Sequence, residues 1–187
     1  MRLTPAGLLW RGRRYPVEIG RGGLSTSKRE GDGATPVGRL RVLGMLWRAD
    51  RLPRPAAWAR PIGPRDLWCD ASDHPAYNQP VRAPFAPSHE RLRRADPLYD
   101  IVLITDWNYP HATPGRGSAI FLHQRRRAGF PTAGCIALRR RDLIEIARQL
   151  RQGTEILIPD LACLFLGRNT PGSGVEPRSA RANRDKA

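Results

Sequence analysis

The chain has 187 residues, of which 40% are hydrophobic, and its formal net charge of +15 is carried almost entirely by arginine. This length is sufficient for one hydrophobic core that needs neither disulfides nor metals to support it. No apolar run approaches the roughly eighteen residues of a membrane-spanning helix, and residues 1–20 lack the apolar segment of a Sec signal. The charge fits two interpretations: attraction to a polyanion such as nucleic acid or an acidic envelope polymer, or a solvated arginine-rich surface.

The three cysteines, Cys69, Cys135 and Cys163, cannot all pair with one another. No two of them have the short spacing of a metal-binding pair, so neither a disulfide framework nor a structural zinc site is predicted. At least one free thiol therefore needs an explanation.

The N-terminal part of the chain predicts short β-strands around a turn. Strands are expected at Gly7–Trp10, Arg14–Ile19 and Leu40–Leu46. Between the last two lies Lys28–Gly38, in which Asp-Gly and Thr-Pro are typical of a turn between strands.

The segment 49–90 is rich in proline, with tryptophan, tyrosine and phenylalanine interleaved. Proline lacks an amide donor, so regular helix and central strand are not expected there. A disordered linker is the alternative, but the aromatic side chains favour an ordered, irregular excursion that packs on the domain. Long ordered loops of this kind often form the wall of a binding site.

The elements after residue 98 are clearer. Buried strands are predicted at Tyr99–Thr105, Ser118–His123 and Cys135–Leu138, followed by a last strand at 154–158. Before that last strand, a helix over 141–150 places its apolar residues on one stripe, and Gly153 terminates it. Residues 167–187 are polar and predicted to be a disordered tail, which leaves 1–166 as a single domain.

His123 and Cys135 end and begin two of these strands, so the sheet places both at its rim. An imidazolium next to a thiol lowers the thiol pKa and makes thiolate the major form. Gly134 leaves the backbone near Cys135 open to a substrate carbonyl, and amides there would form an oxyanion hole. The alternative is that both are structural, since a strand-end His is often a satisfied core group and a lone Cys a small hydrophobe.

Three segments together resemble the L,D-transpeptidase (YkuD-domain) family: Lys28–Gly38, Gly117–His123 and Pro131–Leu138. The first is similar to the family's K-x-x-G-D-G-x-T-P-x-G turn, and the other two to its His and [ST]-x-G-C signatures. The resemblance runs from about residue 7 to 160. It implies a mainly β fold, a YkuD-like β-sandwich with one or two packed helices, into which the Pro-rich excursion is inserted at the cleft.

The resemblance also implies a function without metal or cofactor, namely the cross-linking of peptidoglycan stem peptides that contain diaminopimelate, in the periplasm or cell envelope. By the family pattern Cys135 is the nucleophile, His123 is its base, and the Gln124 carbonyl orients the imidazole. Thr132 stands where Ser is usual. The remaining residues expected to bind substrate are Gly134, Trp107, Asn108 and Arg139.

The chain departs from the family pattern in three places. Gln124 follows the His where Gly is common, Ala133 replaces a second His, and Ala137 replaces an Arg that helps to hold the donor peptide. Arg139 is the expected substitute for that Arg. The chain is also similar to a Pro-rich subgroup that joins L-alanine of one stem to diaminopimelate of another, which makes this atypical cross-link an alternative to the usual one.

Other functions remain as rival hypotheses. A thioester on Cys135 that reacts with water instead of an amine makes the enzyme an L,D-carboxypeptidase. A basic nucleic-acid-binding module is disfavoured because no RNA signature, zinc spacing or helix-turn-helix pattern accompanies the charge, so no nucleic-acid partner is expected. A non-catalytic peptidoglycan-binding domain would not require the thiol.

Overall fold

The β-branched and apolar segments of the chain form a mainly β structure, which the computed structural model describes over residues 1–160. Within these residues the chain forms fifteen strands, one short 3-10 helix and one α-helix. In chain order the strands are β1 Arg2–Thr4, β2 Gly7–Trp10, β3 Arg13–Tyr15, β4 Val17–Glu18, β5 Leu24–Ser25, β6 Thr35–Pro36, β7 Gly38–Trp47, β8 Arg60–Pro61, β9 Asp66–Cys69, β10 Pro80–Arg82, β11 His89–Arg91, β12 Ile101–Thr105, β13 Phe121–Gln124, β14 Ile136–Leu138 and β15 Glu155–Ile158. The 3-10 helix is Pro97–Tyr99, and the α-helix, α1, is Arg140–Gln149.

One large mixed sheet has the strand order β3-β2-β1-β15-β7-β12-β13-β14-β4, with β8 added beside β7. The long strand β7 joins its two halves, because residues 38–41 pair with β15 and residues 42–47 pair with β12. The sheet is therefore nearly closed around an apolar core that takes side chains from both halves and from α1, among them Leu8, Leu103, Ile136 and Ile146. The predicted mainly β, sandwich-like fold is confirmed, with one packed α-helix.

Most predicted elements lie where the sequence placed them, with two local corrections. The strand expected over 14–19 is divided into β3 and β4 at Pro16, which has no N–H to donate. The strand expected from Ser118 begins only at Phe121, because Ala119 has a positive φ of 50° that β-strand geometry excludes.

The Pro-rich excursion is ordered, as predicted, but it also contains regular structure that the proline content did not suggest. Strands β9, β10 and β11 form a second sheet with β9 in its centre, and β8 pairs in parallel with β7. The central strand is possible because residues 65–79 contain only one proline, at 75, outside β9. Trp68 of β9 is buried against Phe121 of β13, so the small sheet is fixed to the main one.

The predicted disordered tail, 167–187, and Cys163 lie outside the described residues. Over residues 1–160, no helix is long and apolar enough to cross a membrane.

Candidate active site

The parallel pairing of β13 with β14 brings the two sequence-predicted reactive residues to one edge of the main sheet. Leu122 aligns with Ile136 and His123 with Ala137, so Cys135, just before β14, lies opposite Phe121. The Cys135 Sγ donates to the Ala119 carbonyl at 3.1 Å and accepts from the Phe121 amide at 3.4 Å. The thiol is thus held by backbone groups of the β13 segment.

The His123 imidazole is almost completely buried, with 8% of its surface exposed, and its orientation is fixed from two directions. Its Nδ1–H donates to the Gln124 carbonyl at 2.8 Å. The edge-to-face ring of Tyr99 lies 5.2 Å away, between ring centroids. Because Nδ1 carries the proton in this hydrogen bond, Nε2 of the neutral ring keeps a lone pair that can accept one. The Gln124 carbonyl makes the contact that the family resemblance implies.

The turn that presents Cys135 is held by two threonine hydroxyls. Thr132 Oγ1 donates to the Cys135 carbonyl at 2.6 Å and accepts from the Gly134 amide at 3.1 Å. Thr35, fully buried, donates to the Gly134 carbonyl at 2.8 Å and accepts from the Gly20 amide at 2.9 Å. Since the Gly134 amide is already bonded to Thr132, it is not a free oxyanion donor, which corrects part of the expectation for this turn.

Only glycine fits at position 134. Its φ is +140°, and a Cβ there would lie 2.9 Å from the Ala34 carbonyl oxygen. Gly134 therefore allows the Cys135 turn to pack against the Lys28–Gly38 turn.

The Lys28–Gly38 turn is organised by an ion pair between the buried Lys28 and the more exposed Asp32. Lys28 Nζ contacts Asp32 Oδ1 at 2.6 Å, and the Lys28 side chain is only 3% exposed. The Asp32 carboxylate also accepts from the amides of Arg29 and Ala34. These bonds fix the path of the chain into Thr35, so the motif supports the Cys135 turn from below.

Cys135 and His123 line the same cavity, which has a volume of about 320 Å³. Basic side chains lie along part of its wall, and the acidic side chains Asp70 and Glu90 are contributed by the Pro-rich excursion. The basic residues are Arg21, Arg94, Arg125 and Arg126. The excursion thus forms part of the cleft wall, and the site offers both signs of charge near the thiol.

Burial favours the neutral forms of the thiol and the imidazole. Desolvation, with a smaller contribution from the nearby charge of Glu90, raises the pKa of Cys135 to about 12. Desolvation also lowers the pKa of His123 to about 4. Among the described residues, no hydrogen bond joins the two side chains. The expected thiolate–imidazolium pair is therefore corrected to a neutral pair, because burial disfavours both charges.

The structure places three predicted substrate-binding residues outside this cavity. The Trp107 indole Nε1 donates to the Arg116 carbonyl, and Asn108 holds its own loop through bonds to Thr113 and the Gly117 carbonyl. Both line a separate groove. The Arg139 guanidinium pairs with Asp142 at 2.7 Å at the start of α1, also away from the thiol. The local bonds of these three side chains explain why they do not reach Cys135.

Sequence reasoning did not identify several cavity residues, among them Tyr99, Glu90 and Asp70. The sequence indicates only a strand at Tyr99 and an irregular segment around Glu90, and Asp70 belongs to no motif. Asp70 and Glu90 reach the cavity because β9 pairs with β11 and the small sheet packs on the main sheet. No local sequence pattern predicts either of these contacts. For Tyr99, its position at the start of a buried strand was the one feature of the sequence that could have predicted a place at the edge of the sheet.

A comparison with protein-family models matches residues 9–158 to YkuD, the L,D-transpeptidase catalytic domain. The chain belongs to this family. Its members act on peptidoglycan, so the domain is of the L,D-transpeptidase enzyme type. A comparison with curated proteins returns no match. Within residues 1–160, no cluster of three or more His, Cys, Asp or Glu side chains is arranged to hold a metal ion.

Two of the three departures from the family pattern fall inside the cavity. Ala133 and Ala137, which stand where the pattern has His and Arg, both contribute to its lining. Small side chains at these positions leave space that bulky ones would occupy. Positive charge is supplied from other segments instead, by Arg21 and Arg126, while the nearby Arg125 is paired with Glu18.

Proposed function

We propose that this chain is a peptidoglycan L,D-transpeptidase in which Cys135 forms the acyl-enzyme and His123 is the general base. The observation that carries the proposal is the shared cavity: the thiol and the imidazole line it together, and the Gln124 carbonyl fixes the Nδ1–H tautomer. This leaves Nε2 as the proton acceptor.

The neutral resting pair indicates how the first step proceeds. As the sulfur attacks the donor carbonyl carbon, the thiol proton moves to His123 Nε2. The C–N bond of the donor then breaks, and the imidazolium returns that proton to the leaving amine. Because burial disfavours the separated charges, proton transfer is coupled to attack instead of preceding it. The product is a thioester between Cys135 and the acyl group of the donor stem.

The substrate charge is matched by the cavity wall. Stem peptides that contain diaminopimelate carry carboxylates, and Arg21 and Arg126 line the wall that would receive them, whereas Arg125 is paired with Glu18. This supports diaminopimelate-containing stems as substrates and the cell envelope as the place of action.

The proposed cross-link joins L-alanine of one stem to diaminopimelate of another. Two features support it: Ala133 and Ala137 remove the bulk and the charge expected around the usual donor, and the ordered excursion forms part of the cleft wall. A displacement of about 1 Å in the donor is enough to change which carbonyl reaches the sulfur.

The test is incubation of the protein with purified sacculi, followed by mass spectrometry of the muropeptides and of the intact protein. We expect new dimers linked from L-alanine and an acyl adduct on Cys135. Dimers joined only between two diaminopimelates would end the L-alanine assignment. Shortened stems without dimers would make the enzyme a carboxypeptidase, in which water takes the place of the amine. The absence of any adduct on Cys135 would overturn the proposed function.

A further inference from the structure

The Pro-rich excursion places two carboxylates in the wall of the Cys135 cavity. Asp70 follows β9 and Glu90 lies in β11, and the two strands pair so that Glu90 aligns with Trp68. The Asp70 amide bonds to the Ser88 carbonyl, which continues the same register. Asp70 and Glu90 are therefore diagonal neighbours on one face of the small sheet, the face that carries buried Trp68.

Within residues 1–160, neither carboxylate is fully satisfied. Asp70 Oδ1 is buried and has no hydrogen-bond partner there. Glu90 has one long contact in the same part of the chain, with the Tyr99 hydroxyl at 3.5 Å. The guanidinium of Arg94, which also lines the cavity, is engaged by both oxygens of Asp96. A buried acceptor without a donor costs free energy that a ligand with N–H groups would recover.

Glu90 is unfavourable for the first half of the reaction. Its charge raises the pKa of the Cys135 thiol, and burial together with the Asp70 charge raises the pKa of Glu90 itself. A carboxylate that opposes thiolate formation needs another explanation. The second half of the reaction offers one, because the acceptor arrives as a cation and the thiol is then acylated and uncharged.

We propose that Glu90 and Asp70 form the acceptor subsite, where they bind a protonated primary amine and Glu90 removes its first proton. This inference rests on the proposed function and specifies its second step. Ammonium N–H groups donate to Glu90 and to the unpartnered Asp70 oxygen. Glu90 then takes one proton, which releases a neutral amine beside the thioester.

Aminolysis of the thioester then regenerates the thiol. The neutral amine nitrogen attacks the thioester carbonyl carbon, the C–S bond breaks, and the sulfur leaves with the bonding electron pair. The second nitrogen proton passes through His123 to that sulfur and restores the thiol. The products are an amide, the free thiol and a protonated Glu90, which returns its proton to solvent. Water needs no cation site, so the subsite favours cross-linking over hydrolysis.

The test uses the full chain and separates the two half-reactions. Acylation by sacculi is followed by intact mass, and the thioester is partitioned between water and an added primary amine of lysine type. For Glu90→Gln, we expect acylation that is as fast as or faster than in the unaltered protein, and a fall of at least about tenfold in the aminolysis-to-hydrolysis ratio. Asp70→Asn should lower the same ratio several-fold.

A second acceptor distinguishes a base from a structural residue. Hydroxylamine is largely uncharged at pH 7, so Glu90→Gln should retain aminolysis with it, and Glu90→Asp should partly recover aminolysis with the lysine-type amine. An unchanged ratio in Glu90→Gln, or an equal slowing of acylation and aminolysis, would overturn the inference while leaving the thioester intact. Failure of the unaltered protein to acylate on Cys135 would instead overturn the proposed function itself.

Discussion

The two walls of the cavity are built in different ways. The wall that contains Cys135 and His123 belongs to the main sheet, where parallel pairing of β13 with β14 and backbone hydrogen bonds fix both side chains. The opposite wall, with Asp70 and Glu90, belongs to an inserted three-stranded sheet that is attached by side chains. The main-sheet wall therefore supplies the proposed nucleophile and base, and the inserted wall supplies two carboxylates.

One asparagine joins the two walls. Asn78 Oδ1 accepts from the Trp68 indole at 2.8 Å and from the Ala119 amide at 2.9 Å. Its Nδ2 donates to the carbonyls of Trp107 and Asn108. Because Ala119 also holds the thiol through its carbonyl, the inserted sheet contacts the segment that positions the nucleophile.

The largest expected effect is loss of the thiol in the main-sheet wall. Cys135→Ala should remove both turnover and the acyl adduct, because no other described group can form the thioester at this position. Cys69→Ala is the matched control, since Cys69 is fully buried in the small sheet and does not line the cavity. The intact mass of each variant after incubation with sacculi shows whether the acyl adduct has formed. An adduct that persists in Cys135→Ala would contradict the assignment.

Removal of the base should have the next largest effect. We expect His123→Ala to lower kcat/KM by at least about 10²-fold. The imidazole must be neutral to accept the thiol proton, and its pKa is lowered to about 4. The rate of acylation should therefore be constant at neutral pH and fall as the pH decreases through about 4.

A pH–rate profile of acylation by the unaltered protein tests whether the pKa of His123 is lowered. An acid limb near the ordinary histidine value of about 6.5 would show that His123 is not desolvated in the active form. His111→Ala is the control variant, because His111 is exposed and lies outside the cavity.

Loss of the hydrogen bonds by which Asn78 joins the two walls should mainly reduce the free energy of unfolding. Asn78→Ala removes four hydrogen bonds, two of them buried, and leaves the Trp68 and Ala119 donors unpaired, so we expect a loss of about 2–4 kcal/mol in the free energy of unfolding. Denaturant unfolding measures it. Tyr77→Phe, which removes a hydroxyl that bonds to Glu30 near the edge of the small sheet, should cost less. Equal losses in the two variants would show that Asn78 is not the principal attachment.

The smallest expected effect concerns the support of the Cys135 turn. Thr35→Val conserves volume but leaves the Gly20 amide and the Gly134 carbonyl without the hydroxyl, at a cost of about 1–3 kcal/mol. Acylation should slow, because the turn carries Cys135. The aminolysis-to-hydrolysis ratio should not change, because Thr35 does not line the cavity. A changed ratio would mean that the two walls are not separable in function.

The main sheet was largely predictable because its strands are marked locally. The apolar runs at 99–105 and 135–138 and the helical stripe over 141–150 lie close to their observed elements. The strand errors, at Pro16 and Ala119, occur where backbone dihedrals override side-chain pattern. The proline content of the excursion obscured β9, a short strand whose residues pair with chain on both sides.

By itself, the sequence predicted the proposed nucleophile and base, the turn motifs that support them and the family, because these are recorded in contiguous residues with fixed spacing. Only the tertiary structure decided the direction in which the pKa values of Cys135 and His123 are shifted, since desolvation depends on everything packed around them. It also decided which charges meet the thiol. Asp70 and Glu90 join the site through strand pairing between distant segments, whereas Arg139 is removed from it by its bond to Asp142.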